Sequence, residues 1–155
     1  MRKILIILSV FLLSSACGFE VIDRTKLSNY DINEIITIGD KRINFKIKNK
    51  LLYGSKKNDK KLITIYLNTK KTKTVKEKNI KNEITKYRLS LVVDVKFNSI
   101  NKTNEGQFSV SKAGDYNVAS QYSQTLNNEK KLIDLLINDI SEKIIDQLVV
   151  KFNEL

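Results

Sequence analysis

The stretch that decides the fold is "YRLSLVVDVKF", residues 87–97: Tyr87, Leu89, Leu91, Val93, Val95 and Phe97 are apolar, Arg88, Ser90, Asp94 and Lys96 are polar, and only Val92 departs from the alternation. Successive side chains of a strand point to opposite faces, so this period of two predicts a long strand with one face packed and the other in water, the habit of an antiparallel sheet.

Downstream, a polar connection from Asn98 to Gly106 leads into "QFSVSKAGDYNV", residues 107–118, where Phe108, Val110, Tyr116 and Val118 share one parity. This reads as a second long antiparallel strand. Asn101-Lys102-Thr103 matches a glycosylation sequon, and a loop of polar residues is the better reading. From Asn128 to Phe152 the period changes. Ile133, Leu136, Ile140, Ile144, Leu148 and Phe152 recur at spacings of three or four, and Leu132, Leu135, Ile137, Ile145, Val149 and Val150 widen that stripe. A helix with so broad an apolar surface covers a sheet or is buried on more than one side. Asn127 or Asn128 is its expected N-cap, and Glu129 suits the positive end of its dipole.

Upstream, "KLITIYLNT", residues 61–69, is β-branched and aromatic and reads as a strand. "KRINFKIKNKLLYG", residues 41–54, fits both periods: Ile43, Phe45 and Ile47 alternate, while Ile43, Ile47 and Leu51 recur every fourth residue. Its ends favour helix, because Asp40 can accept a bond from a first-turn N–H and Gly54 can close the last turn in the left-handed region. "NEIITI", residues 33–38, is a short strand before the Gly39-Asp40 turn. The order strand, helix, strand, strand, strand, helix predicts an α+β fold, with two helices packed on one face of a mainly antiparallel four-stranded sheet.

The N-terminus follows a different logic. Met1-Arg2-Lys3 precedes an apolar run from Ile4 to Leu13, broken only by Ser9, and then Ser14-Ser15-Ala16-Cys17. A positive start, a short apolar core and a small-residue exit are the parts of an export signal. A permanent span would need about 20 apolar residues, and a buried core helix would show a polar face. Residues 1–16 are therefore expected to be a signal peptide and 17–155 a single domain of 155 − 16 = 139 residues.

The chain has one cysteine and no histidine. An intramolecular disulfide, a thiolate-imidazole metal site and a Ser-His-Asp or Cys-His couple cannot be assembled, and the acidic residues are scattered among lysines, so a hydrolase is disfavoured. What remains for Cys17 is a lipid. Leu13-Ser14-Ser15-Ala16-Cys17 resembles a bacterial lipobox, with leucine four rather than three residues before the cysteine. The resemblance implies a covalent acyl anchor on Cys17 as the only prosthetic group. By the same resemblance Gly18, where an aspartate would retain the protein at the inner membrane, implies the outer membrane, with the domain on its periplasmic side.

Formal net charge is +11. Between Asn68 and Arg88, Lys70, Lys71, Lys73, Lys76, Lys78, Lys81, Lys86 and Arg88 face only Glu77 and Glu83, across the link between two predicted strands. One reading is a solvated hairpin tip in a chain rich in lysine and asparagine throughout. The other is a contact for phosphates and acidic sugars, with Lys70, Lys71, Lys73, Lys76, Lys78 and Lys81 as candidates, lysine acting as a point charge. Nucleic acid fits poorly, because Tyr87 is the only interleaved aromatic and an exported protein would rarely meet it.

Cys17-Gly18-Phe19 and the terminal run from Ser111 to Phe152, "SKAGDYNVASQYSQTLNNEKKLIDLLINDISEKIIDQLVVKF", set in this order of elements, resemble the LPS-assembly lipoprotein family of LptE type. The resemblance implies a lipoprotein, not an enzyme, that plugs and helps assemble the LptD-type outer-membrane β-barrel and assists lipopolysaccharide transport to the cell surface, binding lipopolysaccharide through basic side chains near the hairpin. The alternative is another outer-membrane lipoprotein, acting as a binding or assembly module without lipopolysaccharide contact.

Overall fold

The computed structural model describes residues 30–53, 61–99 and 105–153. Residues 1–16 with Cys17, Gly54 and the sequon at residues 101–103 lie outside them.

The described chain runs β1 (Tyr30–Gly39), α1 (Lys41–Tyr53), β2 (Lys61–Lys78), β3 (Ile84–Ser99), β4 (Glu105–Asn117) and α2 (Tyr122–Asn153). The four strands form one sheet in the order β1-β2-β3-β4. β1 runs parallel to β2, and the other two pairs are antiparallel. A parallel neighbour needs a crossover, and α1 supplies it. Both helices lie on one face, the α+β arrangement that the periodicities predict.

The alternation in β3 holds as read. Leu89, Leu91, Val93, Val95 and Phe97 are buried under the helices, alongside Ile63, Ile65 and Leu67 of β2 and Val110 and Tyr116 of β4. Val92 is half-buried on the opposite, open face, paired with Lys70 and Ser111. Ile43, Ile47 and Leu51 of α1 and Leu136, Ile137, Ile140, Ile144 and Leu148 of α2 close the core from above. Each fully buried side chain of this size contributes about 1.5–3 kcal/mol by leaving water.

The turn from β1 into α1 is tightly specified. Gly39 has φ 102°, and a Cβ there would stand 2.1 Å from the Thr69 carbonyl oxygen, so only glycine fits. Asp40 then caps the helix as expected, its Oδ1 accepting the N–H groups of Arg42 at 3.0 Å and Ile43 at 3.1 Å. Asn44, buried in the first turn, donates to the Ile38 carbonyl and accepts from the Thr69 hydroxyl, which ties α1 to both strands.

Three expectations need correction. β2 does not end at Thr69 but continues to Lys78, so the basic stretch is mostly strand rather than link. Its backbone pairs with β3 as far as Lys78 opposite Ile84, whatever its side chains are. α2 begins at Tyr122, not near Asn128, because Thr125 fastens the entry: its hydroxyl accepts the Ala119 N–H at 2.9 Å. Asn128 is no cap, and its side-chain amide donates instead to the Asn117 carbonyl. Finally, Leu135 and Val150 do not join the buried stripe but stay about half exposed.

Candidate functional site

The six candidate lysines do not form one patch. β2 alternates like any strand, and its alternation sends them to opposite faces. Lys71 and Lys73 continue the parity of Ile63, Ile65 and Leu67 and so lie on the helix side. Lys71 Nζ is 3.8 Å from Asp40, and Lys73 Nζ is 2.7 Å from Glu129 of α2. Lys70 takes the open face opposite Val92. Lys76 also reaches that side, 3.5 Å from Asp115, which a second cation already holds: Arg88 Nε donates to Asp115 Oδ1 at 2.8 Å. Lys78 and Lys81 stand at the hairpin end. From Lys70 to Lys78 the strand rises about 26 Å, so these groups cannot share one small ligand.

Charge neutralisation divides them further. Lys71, Lys73 and Lys76 have carboxylate partners within the chain, whereas Lys70, Lys78 and Lys81 make no ion pair among the described residues. Lys78 donates to the Asn82 side chain, a neutral partner, at 2.9 Å. Lys86, outside the candidate set, is paired with Glu77 at 2.9 Å.

Lys73 is the centre of a polar lock. Its ammonium lies 4.3 Å from the Tyr87 ring centroid and 5.3 Å from that of Tyr116, two rings stacked 5.7 Å apart. The Tyr116 hydroxyl donates to the same Glu129 Oε2 at 2.7 Å. Partial burial works against the charge on Lys73, but the bonds and attraction from Glu129 and Tyr116 outweigh it and hold the ammonium above the ordinary lysine range. Burial likewise opposes the charge on Glu129, and Lys73 and Tyr116 overcome it, so the carboxyl lies below its usual value. Burial raises the Tyr116 phenol, with Glu129 adding to the shift and Lys73 opposing it. Desolvation works against Asp115 too, but Arg88 and Lys76 hold it low. Lys71, Lys73 and Lys76 thus fasten the hairpin to the body, while Lys70, Lys78 and Lys81 have no carboxylate partner among the described residues.

The hairpin turn is built to present its tip. Asn79 Oδ1 accepts the N–H groups of Lys81 and Glu83, each at 2.9 Å, and Asn82 takes the left-handed region with φ 63°, where asparagine is tolerated. Between the free lysines stands Ile80, fully exposed. Sequence reading missed it, although an isoleucine with no periodic apolar partner inside "KEKNIKNE" is a visible signal.

The open face of the sheet is mixed, its middle carrying the small side chains Thr72, Ser90, Ser111 and Ala113 in adjacent register beside Val92. Towards β1 it holds a shallow depression of about 780 Å³, edged by Ile36, Ile38, Tyr66 and Lys96. Among the described residues no group of acidic or thiol side chains could hold a metal ion, and no helix is long and apolar enough to cross a membrane.

No family model and no curated protein matches the chain. Solved structures do. A protein of Caulobacter crescentus CB15 assigned as a lipoprotein superposes with TM-score 0.54 at 14% identity, over 84% of this chain and 95% of that one. The uncharacterized lipoprotein B of Nitrosomonas europaea gives 0.55 at 10% identity, over 88% and 93%. The fold is one that lipoproteins use. Rare lipoprotein B of Shewanella oneidensis, at TM-score 0.49 and 12% identity over 79% and 95%, is too distant in superposition to add to that. At these identities the likeness establishes a shared architecture and leaves the activity to the residues of this chain.

Proposed function

We propose that this chain is a lipoprotein of the outer membrane, acylated on Cys17, that lodges in an LptD-type β-barrel, helps it assemble and assists the passage of lipopolysaccharide to the cell surface. The observation that carries the reading is the lipobox-like stretch ending at Cys17, set ahead of a fold that two proteins described as lipoproteins share. Supporting it, Lys70, Lys78 and Lys81 project cations without carboxylate partners among the described residues, as phosphorylated sugars would require. The chain's part is binding and positioning, and its only attached group would be the acyl chains.

Depletion tests the reading. Surface lipopolysaccharide should fall and the barrel should misassemble; if both stay normal the proposal fails. Neutralising Lys70, Lys78 and Lys81 together should weaken lipopolysaccharide binding more at low salt than at high salt, because exposed charges are screened. A second reading has its own support: half of the candidate lysines are occupied by Asp40, Glu129 and Asp115, which suits a module that binds or assembles a partner without touching lipopolysaccharide. Co-purification with the barrel but unchanged lipopolysaccharide binding by the triple variant would favour it.

A further inference from the structure

The end of the molecule that carries the hairpin turn gathers exposed apolar side chains from three segments. Ile80 at the turn is 104% exposed, Tyr122 in the first turn of α2 is 77% exposed, and Val75 and Val118 are each partly exposed. They share one end because β4 runs towards the hairpin and α2 starts there and turns back. The Val118 N–H donates to the Thr85 carbonyl at 2.9 Å, which sets the approach to α2 beside the base of the hairpin. The Lys73, Tyr116 and Glu129 contacts fasten the base of the hairpin to the first turns of α2.

At the tip itself the cations outnumber the anions. Lys78 and Lys81 flank Ile80, Glu77 is paired with Lys86, and Glu83, which takes a hydrogen bond from the neutral Asn79 amide, is the one carboxylate left beside the two lysines. An exposed isoleucine on a hydrogen-bonded hairpin turn, with a lysine on each side that makes no ion pair among the described residues and an exposed tyrosine where α2 starts, matches what a headgroup layer receives. Apolar tips enter its acyl boundary, tyrosine suits the interface, and lysine meets lipid phosphates.

We propose that this end is a docking surface for an anionic phospholipid bilayer, with Ile80 entering the headgroup region and Lys78 and Lys81 contacting its phosphates. It does not depend on the barrel role. β1, the described element nearest in sequence to Cys17, starts beside Lys61, about 55 Å along β2 from the turn.

The chain has no tryptophan, so Ile80→Trp in the full-length protein gives a unique reporter. Position rather than co-sedimentation is read, because an acyl anchor alone would bring the protein to vesicles. With phosphatidylglycerol vesicles containing brominated lipid, emission of the Ile80→Trp protein should shift to the blue and be quenched at least twofold. Phosphatidylcholine vesicles should give much less, and adding Lys78→Glu and Lys81→Glu should remove most of the quenching. Phe45→Trp, on the exposed side of α1, is the control and should stay unquenched. No shift with phosphatidylglycerol, or equal quenching of the Phe45→Trp control, would overturn the proposal. Quenching confined to lipopolysaccharide aggregates would overturn it too, and would assign the tip to the contact proposed above.

Discussion

The two halves of β2 present the same face of the same strand to very different surroundings. In the first half Ile63, Ile65 and Leu67 are sealed beneath the helices. In the second half the same parity carries Lys71, Lys73 and Val75, each at least partly in water. The first half is held by apolar burial that any well-packed side chain could share. The second is held by the β3 ladder and by a few named polar contacts, chiefly Lys73 with Glu129, Tyr116 and Tyr87. A strand can therefore outrun its core when its neighbour pairs with it and one cation is fastened to a helix. The contrast leaves the far half free to carry charge.

The contrast can be broken from the core side first. Leu91→Ala, in the fully buried layer, should cost about 3 kcal/mol and lower the denaturant midpoint of the whole domain. A loss below about 1 kcal/mol would mean that the covered half is not the source of stability. Lys73→Ala should cost only about 1 kcal/mol, because the pair is partly exposed. Its effect should be local: amide exchange across residues 70–88 rises while residues 89–97 keep their protection. Uniform loss across both halves would contradict the division.

Acidity sharpens the same distinction. Glu129 is held below its ordinary value of 4.5 in the fold, so its contribution is complete above that pH and disappears as pH falls through the lowered value. Glu129→Gln should therefore be destabilised relative to the parent at pH 7, and the difference should shrink progressively as pH falls below 4.5. A difference that stays constant across this range would show that Glu129 acts by packing rather than charge. At the small end, Lys70→Ala should change stability by less than about 0.5 kcal/mol, since Lys70 makes no ion pair among the described residues.

The same division explains what could be read in advance. β3 was legible because core and solvent impose opposite chemistries on alternate residues from Tyr87 to Phe97. The far half of β2 was not, because lysines fall on both faces where no core selects between them, and only Thr72, Thr74 and Val75 hint at strand. The capped start of α1 was legible from Asp40, a local signal. The first turns of α2 were hidden because Tyr122 to Asn127 carry no apolar stripe and are fixed by Thr125 reaching back to Ala119. Parallel pairing of β1 with β2 is a property of the crossover, which no single stretch encodes. The lysine cluster was visible as composition, but its separation into paired and free cations depends on Asp40, Asp115 and Glu129, distant in sequence and brought close by the fold.

Crosslinking in intact cell envelopes tests the central claim most directly. A photo-reactive residue placed at Thr72, on the open sheet face, should yield an adduct with a large outer-membrane β-barrel of LptD type. Adducts only with soluble proteins, or none with a barrel from Thr72 or from Lys78, would contradict the proposed place of this chain in that assembly.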